Sequence, residues 1–103
     1  GILTPKVRDG CEHVFHQYTI RVTGDCDIKR DDLASELTKG EIGTGIHYSV
    51  PIHKQPFYKD LGYEEEYAIS EMMADQVISL PIHPGVGEKD LDYISEFIKN
   101  VIT

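Results

Sequence analysis

The stretch Gly87–Val101 most constrains what this chain can fold into. Leu91, Ile94, Ile98 and Val101 recur at helical spacing and form one apolar face. Glu88 and Asp90 fall in the first turn, where the helix dipole favours acid. Gly87 stands at the N-cap position, and Val86 and Leu91 have the spacing of a hydrophobic staple. A helix with a single apolar stripe needs a surface to bury it against. The segment His13–Val22 offers one, since it alternates as a strand does. Val14, His16, Tyr18, Ile20 and Val22 share one side, and Phe15, Gln17, Thr19 and Arg21 the other.

The remaining elements are shorter. Ile2–Thr4 reads as a strand stopped by Pro5, and Arg8-Asp9-Gly10 as a turn. Gly24-Asp25-Cys26-Asp27 breaks the long strand, and Asp25 or Asp27 can cap the helix that follows. That helix carries Leu33, Ala34 and Leu37, and Gly40 is its natural stop after Lys39. Ile42–Tyr48 reads as the second main strand. Pro51 and Pro56 bracket a loop, and Phe57–Leu61 forms a helical turn closed by Gly62. A helix opening at Ser70 carries Met72, Met73 and Val77, and Ser79–Ile82 is a short strand ended by His83-Pro84-Gly85. The order is β-β-α-β-(α)-α-β-α. It predicts an α/β (α+β) fold: a small sandwich with a mixed or mainly antiparallel sheet and helices packed on one face.

Length and charge narrow the function. A chain of 103 residues is one domain, spanning 1–103. The net charge of −8 argues against nucleic acid or an anionic membrane as the main partner, because both need a basic footprint. No run reaches membrane-spanning length, and none reads as a secretory signal. Cys11 and Cys26 do not make a disulfide framework, and reduced thiols in a cytoplasmic protein are the expectation. The apolar start Gly1-Ile2-Leu3 without an initiator Met suggests a piece of a longer protein.

Chemistry concentrates in few places. Cys11-x-His13-x-x-His16 with Cys26 raises a metal reading, but the spacing is no standard zinc pattern, and a strand sends His13 and His16 to opposite faces. We therefore assign no metal ligand. His16, on the apolar side, reads as a hydrogen-bonded core histidine. Gly43-x-Gly45 opens no helix and is not a phosphate loop. Pairing Ser49 with His47 or His53 is possible but makes no persuasive nucleophile–base pair. The run Gly43-Thr44-Gly45-Ile46-His47-Tyr48-Ser49-Val50-Pro51-Ile52-His53-Lys54-Gln55-Pro56 stands apart. It holds an imidazole beside a phenol, next to glycines that let a ligand approach closely. His47 and Tyr48 are the candidate ligand contacts.

Three segments carry a resemblance. His13-Val14-Phe15-His16-Gln17-Tyr18-Thr19-Ile20-Arg21-Val22, Gly43–Pro56 and Ser79-Leu80-Pro81-Ile82-His83-Pro84 resemble the C-terminal domain of the DegT-type sugar aminotransferases. Arg30-Asp31-Asp32-Leu33 and Ser70-Glu71 fit between them in order. The resemblance implies the small C-terminal domain of a pyridoxal-phosphate enzyme of the aspartate-aminotransferase fold type. It implies a homodimer whose small domain packs on its own large N-terminal domain. It implies transfer of an amino group, commonly from glutamate, to a keto group of a nucleotide-linked sugar, in the making of surface polysaccharides or other glycans. A minority of the family dehydrate the sugar instead.

By the same resemblance, the Schiff-base lysine lies in a large domain outside this chain. No catalytic residue is assigned here, no cofactor is expected on this chain alone, and the chain by itself is expected to be inactive. His47 is the leading substrate contact, with Tyr48 and Thr44 behind it; His16, His53 and His83 match motif positions that hold loops and strand ends. The chain departs from the family pattern at Lys39-Gly40-Glu41-Ile42, where the glycine usually stands directly before the isoleucine, and at Ser49-Val50-Pro51. A free-standing ligand-binding module is the alternative from another class.

Overall fold

The computed structural model describes residues 1–103. Two strands, β1 (Ile2–Leu3) and β2 (Tyr18–Val22), precede helix α1 (Arg30–Lys39). A 3-10 turn (Ile52–Lys54) and a short helix α2 (Pro56–Asp60) follow. Helix α3 (Ala68–Gln76) runs straight into β3 (Val77–Leu80), and α4 (Glu88–Ile102) ends the fold. The sheet is antiparallel throughout, in the order β1-β2-β3.

Register sets the core. Ile2 lies opposite Val22, Ile20 opposite Ile78, and Tyr18 opposite Leu80. All six therefore point to one face. Leu33 and Leu37 of α1 and Ile94 and Ile98 of α4 cover that face, joined by Ile42. The predicted stripe of α4 is thus buried at its centre, while Leu91 at its start stays exposed. On the other face Thr19 and Ser79 share a hydroxyl hydrogen bond of 2.9 Å, and Arg21 Nη2 donates to Gln76 Oε1 of α3 at 2.7 Å.

The long strand predicted from His13 begins only at Tyr18. His13 Nδ1 accepts a hydrogen bond from the Phe15 amide, and Phe15 takes a left-handed backbone at φ 45°, so the chain bends before it can pair. His16 is consequently exposed and is not a core histidine; Val14 is exposed as well.

The second main strand predicted over Ile42–Tyr48 is also absent. Only Gly45 pairs, with Ser79, through hydrogen bonds of 3.0 and 2.7 Å. The next ladder steps would join His47 to Val77 and Gly43 to Pro81. The Val77 carbonyl is taken by the buried Arg30 guanidinium at 2.8 Å, and Pro81 has no amide hydrogen. A single bridge is all that the edge of β3 allows.

Helix ends differ from expectation in one informative way. The N-cap of α1 is Lys29, without a side-chain cap, so neither Asp25 nor Asp27 serves. At its C-terminus the Ile42 amide bonds the Leu37 carbonyl and the Glu41 amide bonds the Thr38 carbonyl, a Schellman motif. The left-handed residue is Glu41 (φ 58°), not Gly40. This is the position directly before the isoleucine, where the resembling family places its glycine. Helix α2 closes by the same motif with a glycine in that place, Gly62 at φ 90°. Gly40 is needed for space instead, because a Cβ there would meet Phe97 of α4 at 2.5 Å.

Candidate functional site

Beside β3 lies an open cleft of about 670 Å³. Its floor is the Gly45–Ser79 bridge. Its walls are Thr44 and His47 on one side, His16 and Gln17 at the start of β2, and the turn after β3 with His83. Asp90, Tyr93 and Ile94 close it from α4. The size is that of a small-molecule site, and the lining sets imidazoles, hydroxyls and an amide beside apolar groups such as Leu80, Ile82 and Val86. The polar side chains among them suit the hydroxyl and carbonyl oxygens of a ligand.

His47 is placed by its surroundings. Gln17 Nε2 lies 3.3 Å from His47 Nδ1. The ring passes so close to Gly45 that a Cβ there would meet Cε1 at 2.6 Å. Gly45 thus makes room both for the bridge to Ser79 and for the imidazole. The Tyr48 ring meets His47 edge to face at 5.4 Å, but it does not line the cleft and is 74% exposed. The structure therefore brings Thr44 and His47 together in the cleft wall and leaves Tyr48 outside it.

The other histidines divide by role. His83 Nδ1 accepts from the Gly85 amide at 3.1 Å, which shapes the turn after β3. His53 Nε2 meets Glu71 Oε1 at 2.9 Å. Lys54 Nζ meets the other carboxylate oxygen at 2.6 Å, and the Tyr67 amide donates to Oε1 at 3.3 Å. The hydrogen bond from Lys54, then that from His53, holds the Glu71 carboxyl down at about 2, and Glu71 in turn raises the Lys54 ammonium. Sequence reasoning placed Ser70-Glu71 only as a motif before a strand. The pairing with His53 across eighteen positions has no local signature. Cys11 and Cys26 are both free thiols, and no three His, Cys, Asp or Glu side chains converge as metal ligands. No lysine lines the cleft. No helix is long and apolar enough to cross a membrane.

Comparison with known proteins completes the picture. The chain is 41% identical over 98 residues to a pleiotropic regulatory protein of Geobacillus stearothermophilus, covering 94% of this chain and 25% of that protein. It is 33% identical to a dTDP-3-amino-3,6-dideoxy-alpha-D-galactopyranose transaminase of Aneurinibacillus thermoaerophilus, covering 91% and 24%. Among solved structures, S. venezuelae DesV in complex with a ketimine intermediate superposes with a TM-score of 0.84 at 30% identity, over 99% of this chain and 26% of that one. The NtdA protein of Bacillus subtilis, with bound cofactor PMP, superposes at 0.80 and 26% identity, over 98% and 23%. The chain spans about a quarter of the length of the curated relatives it matches. Residues 1–99 match the DegT/DnrJ/EryC1/StrS aminotransferase family, and the chain belongs to that family.

Proposed function

We propose that this chain is the C-terminal domain of a pyridoxal-phosphate-dependent aminotransferase. The full enzyme moves an amino group, from glutamate, onto a keto group of a nucleotide-linked sugar in cell-surface polysaccharide or glycan biosynthesis. The family match over residues 1–99 carries this reading, and relatives named as nucleotide-sugar transaminases support the substrate class. The cofactor supplies the electron sink for amino transfer when bound. It is held by the large domain. This chain contributes the wall that faces the sugar. His47 and Thr44 hydrogen-bond sugar oxygens, and Tyr48, which does not line the cleft, contacts a part of the substrate that extends beyond it. By itself the chain is inactive.

The same reading gives it two partners, its own large domain and a second subunit of a cytoplasmic homodimer. An apolar groove of about 740 Å³ supports this. It lies along α4 and is lined by Ile2, Tyr18, Leu80, Ile82, Leu91 and Ile102. Exposed apolar surface of that extent marks an interface.

The decisive experiment is the intact mass of the natural product. A protein several-fold larger than 11.6 kDa, carrying pyridoxal phosphate on a borohydride-reducible lysine, is the expected result. A natural product of this length that binds no pyridoxal phosphate overturns the reading. In the full enzyme, His47→Ala should raise KM for the sugar nucleotide about tenfold, the loss of one hydrogen bond.

A further inference from the structure

Residues 47–67 form an arm that leaves the sheet after Gly45 and Ile46, whose side chain packs against the core, and returns at α3. Its side chains bury almost nothing: Tyr48, Ile52, Phe57, Leu61 and Tyr63 are all exposed. Apolar packing therefore does not hold it. Its first residues, His47 and Tyr48, are nevertheless those proposed to meet a substrate.

Two attachments explain how such an arm keeps its place. The first is the Gly45–Ser79 bridge. The second is Glu71, whose carboxylate accepts hydrogen bonds from His53, Lys54 and the Tyr67 amide. A carboxylate only accepts, so His53 carries a proton on Nε2. Tyr67 adds a ring-edge contact to His53, with centroids 4.9 Å apart. Unlike the exposed side chains around it, His53 is only 10% exposed. Both attachments lie on one rigid piece, because α3 passes into β3 without a loop and carries Glu71 and Ser79 together. The segment from Ile46 to Ile52 is thus strung between two fixed points of the same unit.

We infer that Glu71 is a positioning residue: its clasp on His53 and Lys54 holds the arm so that His47 stays at the wall of the cleft. Without the clasp, the short tethered segment becomes part of one long loop tied only at its ends. A longer loop samples more conformations, and His47 drifts from the Gln17 contact. That His47 meets a sugar rests on the function proposed above; the clasp does not.

The test is Glu71→Ala in the natural protein that carries this chain, followed by hydrogen exchange and by the NMR signal of the His47 ring. Amide exchange over residues 48–66 should rise about tenfold or more, with α1 and α4 unchanged, as expected for local opening. The His47 ring signal should shift or broaden. Glu71→Gln keeps one acceptor oxygen and should restore part of both. Unchanged exchange in the arm, or an unmoved His47 signal, overturns the inference. Lys54→Met at the surface is the safeguard against a variant that does not fold, and it should loosen the arm in the same sense; exchange no faster than wild type in that variant also overturns it. In an active enzyme Glu71→Ala should raise KM for the sugar with kcat little changed. Absence of aminotransfer in the wild-type protein would sink the function proposed above, while exchange and the His47 signal still decide the clasp.

Discussion

The sheet with α1 and α4, and the arm between Gly45 and α3, are two kinds of structure in one chain. In the first, Leu33, Leu37 and Ile78 are fully buried, and each strand or helix covers another. In the second, no residue from 47 to 70 is buried. Its aromatic rings touch mainly each other, as Phe57 with Tyr58 and Tyr58 with Tyr63. The core is held by removal of apolar surface from water, a term that needs no particular partner. The arm is held by the Gly45–Ser79 bridge at its root and by a handful of directed bonds to one carboxylate. The first kind of stability is cooperative, and the second is local and can be lost alone. A functional loop drawn from the weak end, hung on a strong scaffold, is a common arrangement for a binding site.

The sharpest way to break this comparison is to truncate one side chain in each region. Ile78→Ala, at a site with no exposed surface, should cost about 2–5 kcal/mol in chemical denaturation. Phe57→Ala, in a ring 67% exposed, should change the global stability by less than about 0.5 kcal/mol. Equal losses would mean that the arm folds as part of the core.

Next in size is Gly40→Ala. The new methyl group would strike the Phe97 ring, where α4 crosses the end of α1 and Tyr93 donates to the Gly40 carbonyl at 3.0 Å. A loss of about 1–3 kcal/mol is expected, measured as a fall in the midpoint of urea unfolding. Glu41→Gly should act in the opposite direction. It removes a Cβ from a left-handed position and should stabilise the core by about 1 kcal/mol, read as a higher Tm.

The smallest effect on overall stability concerns the clasp and pH. The Glu71 carboxyl is depressed from 4.5 to about 2 by Lys54 and then His53. A depressed carboxylate contributes fully above its unfolded value, and its contribution fades as pH falls from about 4.5 to about 2. Lys54 is raised above 10.5, chiefly by the Glu71 hydrogen bond with Glu66 and Asp75 adding to it, so its share fades only in strong base. Between those limits the clasp is intact. Methyl NMR should show Ile52 titrating in the acid range while Ile78 does not move. An Ile52 signal that is flat down to pH 2 would detach the arm from Glu71.

The two regions also differed in how far their sequence could be read. The α1 and α4 stripes, the turn at Gly10 and the closure of α2 at Gly62 were legible because each is a local pattern with a local cause. The strands were less so. A run such as His13–Val22 has the alternation of a strand, but pairing needs a neighbour, and the bend at Phe15 removes its first half from the ladder. Ile42–Tyr48 failed as a strand for a reason that no window contains, since Arg30 and Pro81 spend or withhold the bonds it required.

The candidate site shows the same division. The Gly-Ile-His-Tyr run marked its own importance, yet nothing in it told that His47 would line a cleft with His16 and His83 while Tyr48 would not. Nor did it tell that Glu71 would reach back to His53 and Lys54.

The amino-acid sequence by itself determined the family, the helices and the chemical character of the loop, because these follow from residue type at short spacing. The tertiary structure alone decided which carbonyl Arg30 takes, which histidines share the cleft and what holds the arm. Those outcomes depend on groups far apart in the chain competing for the same hydrogen-bond partners, and only the folded arrangement settles such a competition.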